Sequence, residues 1–266
     1  MPLALRQPTP LSSPHVNRTD NDGIVTLRLA HGKASALDLE LMEGLALAFA
    51  EIASSDARAV ILTGTGSIFS AGVDLFRLVD GGREYAERFV PALSRMLLEL
   101  FAFPKPLIVA ANGHAIAGGC IFTLAADYRL MAAGNGRIGI PELLVGVPFP
   151  AAVVEVIRYA VPPQHVHALM FTGRTVAADE ALRFGLIDEV AEAATLMTRA
   201  EELARHFAAL PAEAFALAKR QLRDPSISRA KHYANELDGD VRKLWSDPAT
   251  HARVREYLAR TVKTKP

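Results

Sequence analysis

The chain has 266 residues, with 29 Lys plus Arg against 29 Asp plus Glu, so its formal net charge is zero. Half of the residues are hydrophobic and 22% are charged, which excludes a disordered chain and gives no global basic field for nucleic acid or an acidic membrane. A single cysteine, Cys120, excludes an internal disulfide framework and a cysteine-based zinc site within one chain, and points to a reduced, cytoplasmic setting.

The first 20 residues hold Pro2, Pro8, Pro10 and Pro14 and no acid before Asp20. They lack the apolar core of a signal peptide. A loosely ordered N-terminal arm over 1–20 is expected, with a mitochondrial import segment as the alternative. Gly23 to Leu29 reads as a strand. Asp38 is placed to cap a helix, and Leu41, Leu45, Ala48 and Ile52 follow at helical spacing. Ala59 to Leu62 is wholly apolar and is followed by Gly64, as expected of a buried strand. Leu93, Met96, Leu97 and Leu100 predict a helix that starts after Pro91. Leu107 to Ala110 is a second buried strand. It lies in an uncharged run of 21 residues from Pro106 to Ala126, long enough to ask about a membrane span. Asn112, Gly113, His114, Gly118 and Gly119 break that run into a strand, a glycine turn and a buried helix. Val60 and Leu107 lie 47 residues apart, and each belongs to a strand–turn–helix unit, which hints at an internal repeat. After Val190 the pattern is helical. Tyr233, Leu237, Val241 and Trp245 step by four, as do Val254, Leu258 and Val262; both stripes read as packing surface.

Common catalytic templates are missing: no Gly-x-Ser-x-Gly, no His-Glu-x-x-His and no phosphate loop ending in Gly-Lys-Ser/Thr. Gly64-Thr65-Gly66 follows a strand, but Phe69 stands where a dinucleotide fingerprint needs its third glycine. His114, His165, His167 and Cys120 read as packing or surface residues. Two glycine turns follow the two buried strands: Phe69-Ser70-Ala71-Gly72-Val73-Asp74-Leu75 and Asn112-Gly113-His114-Ala115-Ile116-Ala117-Gly118-Gly119-Cys120. Each leaves backbone N–H groups free at a helix start, and two such groups converging on one point bind a developing oxyanion.

Five segments resemble the crotonase superfamily, the enoyl-CoA hydratase and isomerase group. They are Gly32 to Asp38, Phe69 to Leu75, Asn112 to Cys120, Ile140 to Gly146, and Leu169 to Arg174 running on to Glu180-Ala181 and Gly185 to Asp188. The resemblance covers about Gly23 to Val190. It implies an α/β fold, a spiral of ββα turns with a C-terminal α-helical region. The expected layout is a core over 21–190 that carries the site, and a helical region over 191–266 for packing and trimerisation, giving a homotrimer or a hexamer. The implied ligand is an acyl-CoA, with coenzyme A present only as part of the substrate and no metal or resident cofactor. By motif position the thioester oxygen lies between the N–H groups of Val73 and Gly118. Coenzyme A lies along Lys33, Ala34, Ala36, Ala71, Asp74 and Leu75. Ser35 stands where the family usually has asparagine. Lys33 either meets a CoA phosphate or is a solvated surface lysine, and Asp74 either lines the channel or caps a helix.

One departure bears on the reaction. Hydratases of the family use two glutamates; the positions are Ile121 and Glu142 here. Pro150 stands where glycine is common, and Phe149 adds apolar bulk beside it. An isoleucine accepts no hydrogen bond, whereas moving a double bond needs only one base. Ala117 to Ile121, leading to Asp127-Tyr128-Arg129, is also similar to the monofunctional enoyl-CoA isomerase branch. The expected reaction is isomerisation of 3-enoyl-CoA to trans-2-enoyl-CoA, with Glu142 as the catalytic base, its pKa raised by apolar neighbours. Ile121, Phe149 and Pro150 are expected to line the pocket, and the stretch from Phe76 to Leu100 to shape its acyl end. The alternatives are 2-enoyl-CoA hydration and non-catalytic acyl-CoA binding.

Overall fold

The computed structural model describes residues 13–261. It opens with β1 (Val16–Asn21) and β2 (Ile24–Leu29), an antiparallel pair joined at Asp22 and Gly23, both at positive φ. That dipeptide is the favoured chemistry for a two-residue hairpin turn. The arm expected over 1–20 is therefore corrected: residues 1–12 lie outside the described residues, but Val16 to Asp20 are strand. In β1 only Val16 is buried, so its order comes from the backbone ladder and not from an apolar pattern.

The chain continues through α1 (Leu39–Ala53), β3 (Ala59–Thr63), β4 (Ile68–Ser70), α2 (Leu75–Ala102), β5 (Leu107–Ala111), β6 (His114–Ile116) and α3 (Gly118–Leu124). Then come β7 (Tyr128–Ala132), β8 (Ile138–Gly139), a 3-10 turn at Glu142–Val145 and α4 (Ala151–Ala160). Three successive strand–strand units, each leading into a helix, are thus visible. Their first strands stack in a six-stranded sheet, order β1-β2-β3-β5-β7-β10, and their second strands in a four-stranded sheet, order β4-β6-β8-β9. Between these units and the C-terminal helices lie α5 (Pro163–Thr172), β9 (Thr175–Val176), α6 (Ala178–Arg183) and β10 (Glu189–Ala191). Val60 pairs directly with Leu107, so the 47-residue spacing is one turn of a spiral. The chain ends in α7 (Leu196–Ala208), α8 (Ala212–Trp245) and α9 (Pro248–Thr261). Among the described residues no helix is long and apolar enough to cross a membrane.

Alternation along the strands divides the core. Val60, Leu62, Leu107 and Val109 face the main core; Ile61, Ile108 and Leu130 face the other side, where Leu196, Ala200 and Leu203 of α7 cover them. Asp38 caps α1, its carboxylate accepting the Leu41 N–H at 2.8 Å. The helix expected after Pro91 begins 16 residues earlier than that proline, at Leu75. Pro91 lies inside it, and the break falls at Gly82, whose φ of 58° and ψ of −147° are non-helical. A proline suits a helix start but is also carried inside a long, bent helix at the loss of one backbone bond.

The stripe on α8 divides: Val241 and Trp245 are buried, whereas Leu237 is 53% exposed. Val254 is buried and Leu258 packs partly buried on the core, while Val262 lies outside the described residues. Two buried cations fix α8 to the core. Lys219 Nζ lies 2.6 Å and Arg223 2.8 Å from the two carboxylate oxygens of Asp127. Arg223 also donates to the carbonyls of Phe101, Ala125 and Ala126, so it satisfies the C-terminal ends of α2 and α3 together. Burial holds the Lys219 ammonium down at about 8, while the Asp127 carboxylate acts to raise it. Asp127→Ala would leave both cations buried without their carboxylate. The expected loss is about 3–5 kcal/mol of stability, read from denaturant unfolding curves.

Candidate active site

Two turns meet at the N-terminal end of α3. In the first, Gly72 takes a φ of +79°. The Leu37 N–H donates to the Gly72 carbonyl at 2.7 Å, and the Asp74 N–H donates to the Leu37 carbonyl at 2.9 Å. These bonds hold Val73 beside Leu37. In the second, Ala117 takes a φ of 52° and ψ of −123°, a region costly for any residue with a Cβ. The chain then enters α3 at Gly118. A Cβ on Gly72 would fall 2.6 Å from the Ala117 Cβ and from the Ile116 carbonyl oxygen; a Cβ on Gly118 would fall 2.5 Å from Leu37. The turns are therefore in direct contact, and glycine is needed at 72, where the colliding atoms include backbone, whereas at 118 the close atom is the tip of the Leu37 side chain. Among the described residues, no protein acceptor takes the N–H of Val73 or of Gly118. Both residues line one cavity, and a pair of fixed backbone donors is the kind of group that can stabilise a negatively charged oxygen.

Glu142 faces the same cavity. It follows β8 and opens the 3-10 turn, is 9% exposed, and its Oε2 has no hydrogen-bond partner. Burial pushes its pKa up to about 8, against the lowering effect of its own backbone N–H. Ile121, Phe149 and Pro150 stand around it, together with Phe122 and Val153. Glu142 is the only ionisable side chain among the residues lining this cavity. The free space is about 20 Å³, room for one water. Cys120 is fully buried and its thiol is pushed well up by burial, so it remains protonated and inert.

The segments assigned to coenzyme A lie side by side. The Ala71 N–H donates to the Ala34 carbonyl at 3.0 Å, and Ser70 Oγ donates to the Ser35 carbonyl at 2.7 Å. Ala36 and Leu75 are half-buried, and Lys33 and Ala71 are exposed. Asp74 caps α2, accepting the Arg77 N–H at 3.0 Å. His114 Nδ1 accepts the Arg137 N–H at 3.3 Å, a polar contact where apolar packing was expected. His165 and His167 pack on Phe184 and Phe171, apart from the cavity. Leu93 and Leu97 of α2 also line the cavity; sequence reasoning missed Phe122, Pro148, Val153 and, from the end of α8, Trp245. The stretch 76–100 pointed toward the two leucines. Trp245 lies in the helical region beyond 190, and its four-residue stripe signals burial without saying what it is buried against.

Comparisons with known proteins agree with this geometry. The family model described as Enoyl-CoA hydratase/isomerase matches residues 19–261. The chain is 34% identical to a carnitinyl-CoA dehydratase of Escherichia coli (strain K12) over 195 residues, 73% of this chain and 74% of that protein. It is similar to a Mycobacterium tuberculosis enoyl-CoA isomerase structure at 28% identity and a TM-score of 0.79, covering 85% of this chain and 98% of that one. The human mitochondrial delta3-delta2-enoyl-CoA isomerase shares the fold at a TM-score of 0.88 and 23% identity, covering 95% of this chain and all of that one. The spiral, the paired glycine turns and the family match lead to one assignment: the chain belongs to the enoyl-CoA hydratase/isomerase family of the crotonase superfamily.

Proposed function

We propose that this protein moves the double bond of 3-enoyl-CoA thioesters to the trans-2 position, with Glu142 as its one acid–base group. The observation that carries this reading is the lone carboxylate in an otherwise apolar cavity, with Ile121 at the position where the family's hydratases hold a second glutamate. Coenzyme A would lie along residues 33–36 and 71–75. The thioester oxygen would accept from the Val73 and Gly118 N–H groups. The Glu142 carboxylate removes a proton from C2, and the electron pair spreads over the thioester oxygen and C4. Protonated Glu142 then returns that proton to C4, leaving the double bond between C2 and C3. No water enters the balance, and a water beside Glu142 would find no second acid–base group in the apolar lining to activate it. Assembly as a trimer or hexamer belongs to the same reading, supported by exposed Leu217, Leu222 and Leu237 on α8.

A second reading is hydration of 2-enoyl-CoA or its reverse. The 34% identity to a carnitinyl-CoA dehydratase favours it, as does space for one water beside Glu142. Purified protein given 3-enoyl-CoA and 2-enoyl-CoA separately distinguishes the two. Trans-2-enoyl-CoA from the first substrate is the expected product; hydroxyacyl-CoA from the second at the higher rate would reverse the order. Binding of both without turnover would leave a non-catalytic acyl-CoA binder. The pH profile is a further expected result. Glu142 must be ionised to take the C2 proton and titrates at about 8 in the free protein. The isomerase kcat/KM should therefore climb through neutral pH and level off above about 8. A profile flat from pH 6 to 9 would remove Glu142 as the base.

A further inference from the structure

One wall of the cavity comes from the chain's own C-terminal region. Trp245, the last residue of α8, is 1% exposed and shares the cavity with Glu142. Three contacts hold it. Its Nε1–H donates to the Pro148 carbonyl at 2.8 Å. Its ring stacks on Phe89 of α2, with centroids 6.0 Å apart and planes 29° from parallel. Its backbone carbonyl meets His251 Nε2 of α9 at 2.7 Å. Leu93 and Leu97 of α2, 5% and 0% exposed, stand in the same wall. The oxyanion turns and this wall bound the same space, and about 20 Å³ of it is free. A growing acyl chain would meet a large aromatic ring fixed by a hydrogen bond, a stacked partner and a buried helix end.

We infer that Trp245 is a chain-length stop, and that the site takes short, apolar acyl groups. The inference rests on the acyl-CoA reading of the site and adds the substrate class to it. Nothing in the wall beyond Glu142 is charged, so an acyl tail carrying a second charged group finds no partner there. The stop itself lies on α8, outside the spiral, and Leu93 and Leu97 of α2 complete the wall from within it.

The test measures binding and turnover separately. Binding of butyryl-, hexanoyl-, octanoyl- and decanoyl-CoA is followed by calorimetry, and turnover of the matching 3-enoyl-CoA series is followed by product formation. The wild type should favour the two shorter chains over decanoyl by at least roughly tenfold in both readouts, the scale of a misfitted methylene in a hydrophobic pocket. Trp245→Leu should move the optimum toward the longer chains by a similar factor. Leu93→Ala opens the same wall from α2 and should move it the same way, so it carries the test should Trp245→Leu not fold. Wild-type protein that binds decanoyl-CoA as well as hexanoyl-CoA would overturn the stop. So would a folded variant of either kind with an unchanged chain-length profile. A graded binding profile with no turnover of any 3-enoyl-CoA would uphold the stop and sink the isomerase reading alone.

Discussion

Glu142→Gln is expected to lower kcat for isomerisation by about 10²–10⁴-fold, the usual contribution of a positioned acid–base group. Acyl-CoA affinity should change little, because the amide keeps the shape of the side chain and the Val73 and Gly118 N–H groups are untouched. Single-turnover kinetics and calorimetry read the two effects separately, and a variant with wild-type turnover would remove Glu142 from the reaction. The same substitution has a second expected effect, on stability. Below pH 4.5 the Glu142 carboxyl is neutral in folded and unfolded chains alike. Between 4.5 and about 8 only the unfolded chain ionises, so this group makes the fold less stable as pH rises; above about 8 the penalty is constant. The substituted amide does not titrate. The stability difference, variant minus wild type, should therefore grow across that window and level off beyond it. Thermal melts at pH 5 and pH 8.5 check this, and a difference independent of pH would mean that the carboxyl is not held neutral.

Gly72→Ala is expected to damage both fold and chemistry. An alanine at a φ of +79° costs about 1–2 kcal/mol from the backbone alone. Its Cβ would also fall 2.6 Å from the Ala117 Cβ and the Ile116 carbonyl oxygen, and 3.0 Å from the Gly118 nitrogen, so backbone has to give way. Overpacking of this kind costs about 1–3 kcal/mol more. Because the atoms in collision belong to the turn that carries Gly118, the distance between the Val73 and Gly118 N–H groups has to change. Loss of one such donor costs about 10²–10³-fold in kcat. Circular dichroism melts and steady-state kinetics at a temperature where the variant is folded separate the two effects. Full activity in a folded Gly72→Ala protein would show that these two N–H groups do not act together.

What the sequence revealed depended on whether the signal was local. The Ala59–Leu62 and Leu107–Ala110 runs announced β3 and β5 because both faces of a central parallel strand are buried. Asp38 announced its helix because capping is settled within three residues. Strand β1 was hidden because an edge strand with one buried side chain has no apolar pattern; the hairpin chemistry of Asp22-Gly23, with Gly23 read as the start of a strand, was the signal that could have found it. The start of α2 was hidden because Pro91 suggested a beginning, while the break came at Gly82. At the site, motif order brought Val73, Gly118, Ile121, Glu142, Phe149 and Pro150 together, and the structure places all six on one cavity. The reason glycine is needed at 72 became visible only when the two turns were seen touching each other. Trp245 could not be placed from its stripe, because its partners Phe89 and Pro148 lie 156 and 97 residues away in the chain.

The position of Trp245 also has a consequence for biosynthesis. A ribosome makes the two glycine turns and Glu142 well before it makes the end of α8. A nascent chain that has emerged only as far as β10 holds every group proposed for proton transfer, yet its cavity still lacks one wall and lies open to water. The order of synthesis thus separates the two: the groups proposed for proton transfer come first, and the partition beside them comes only with the end of α8.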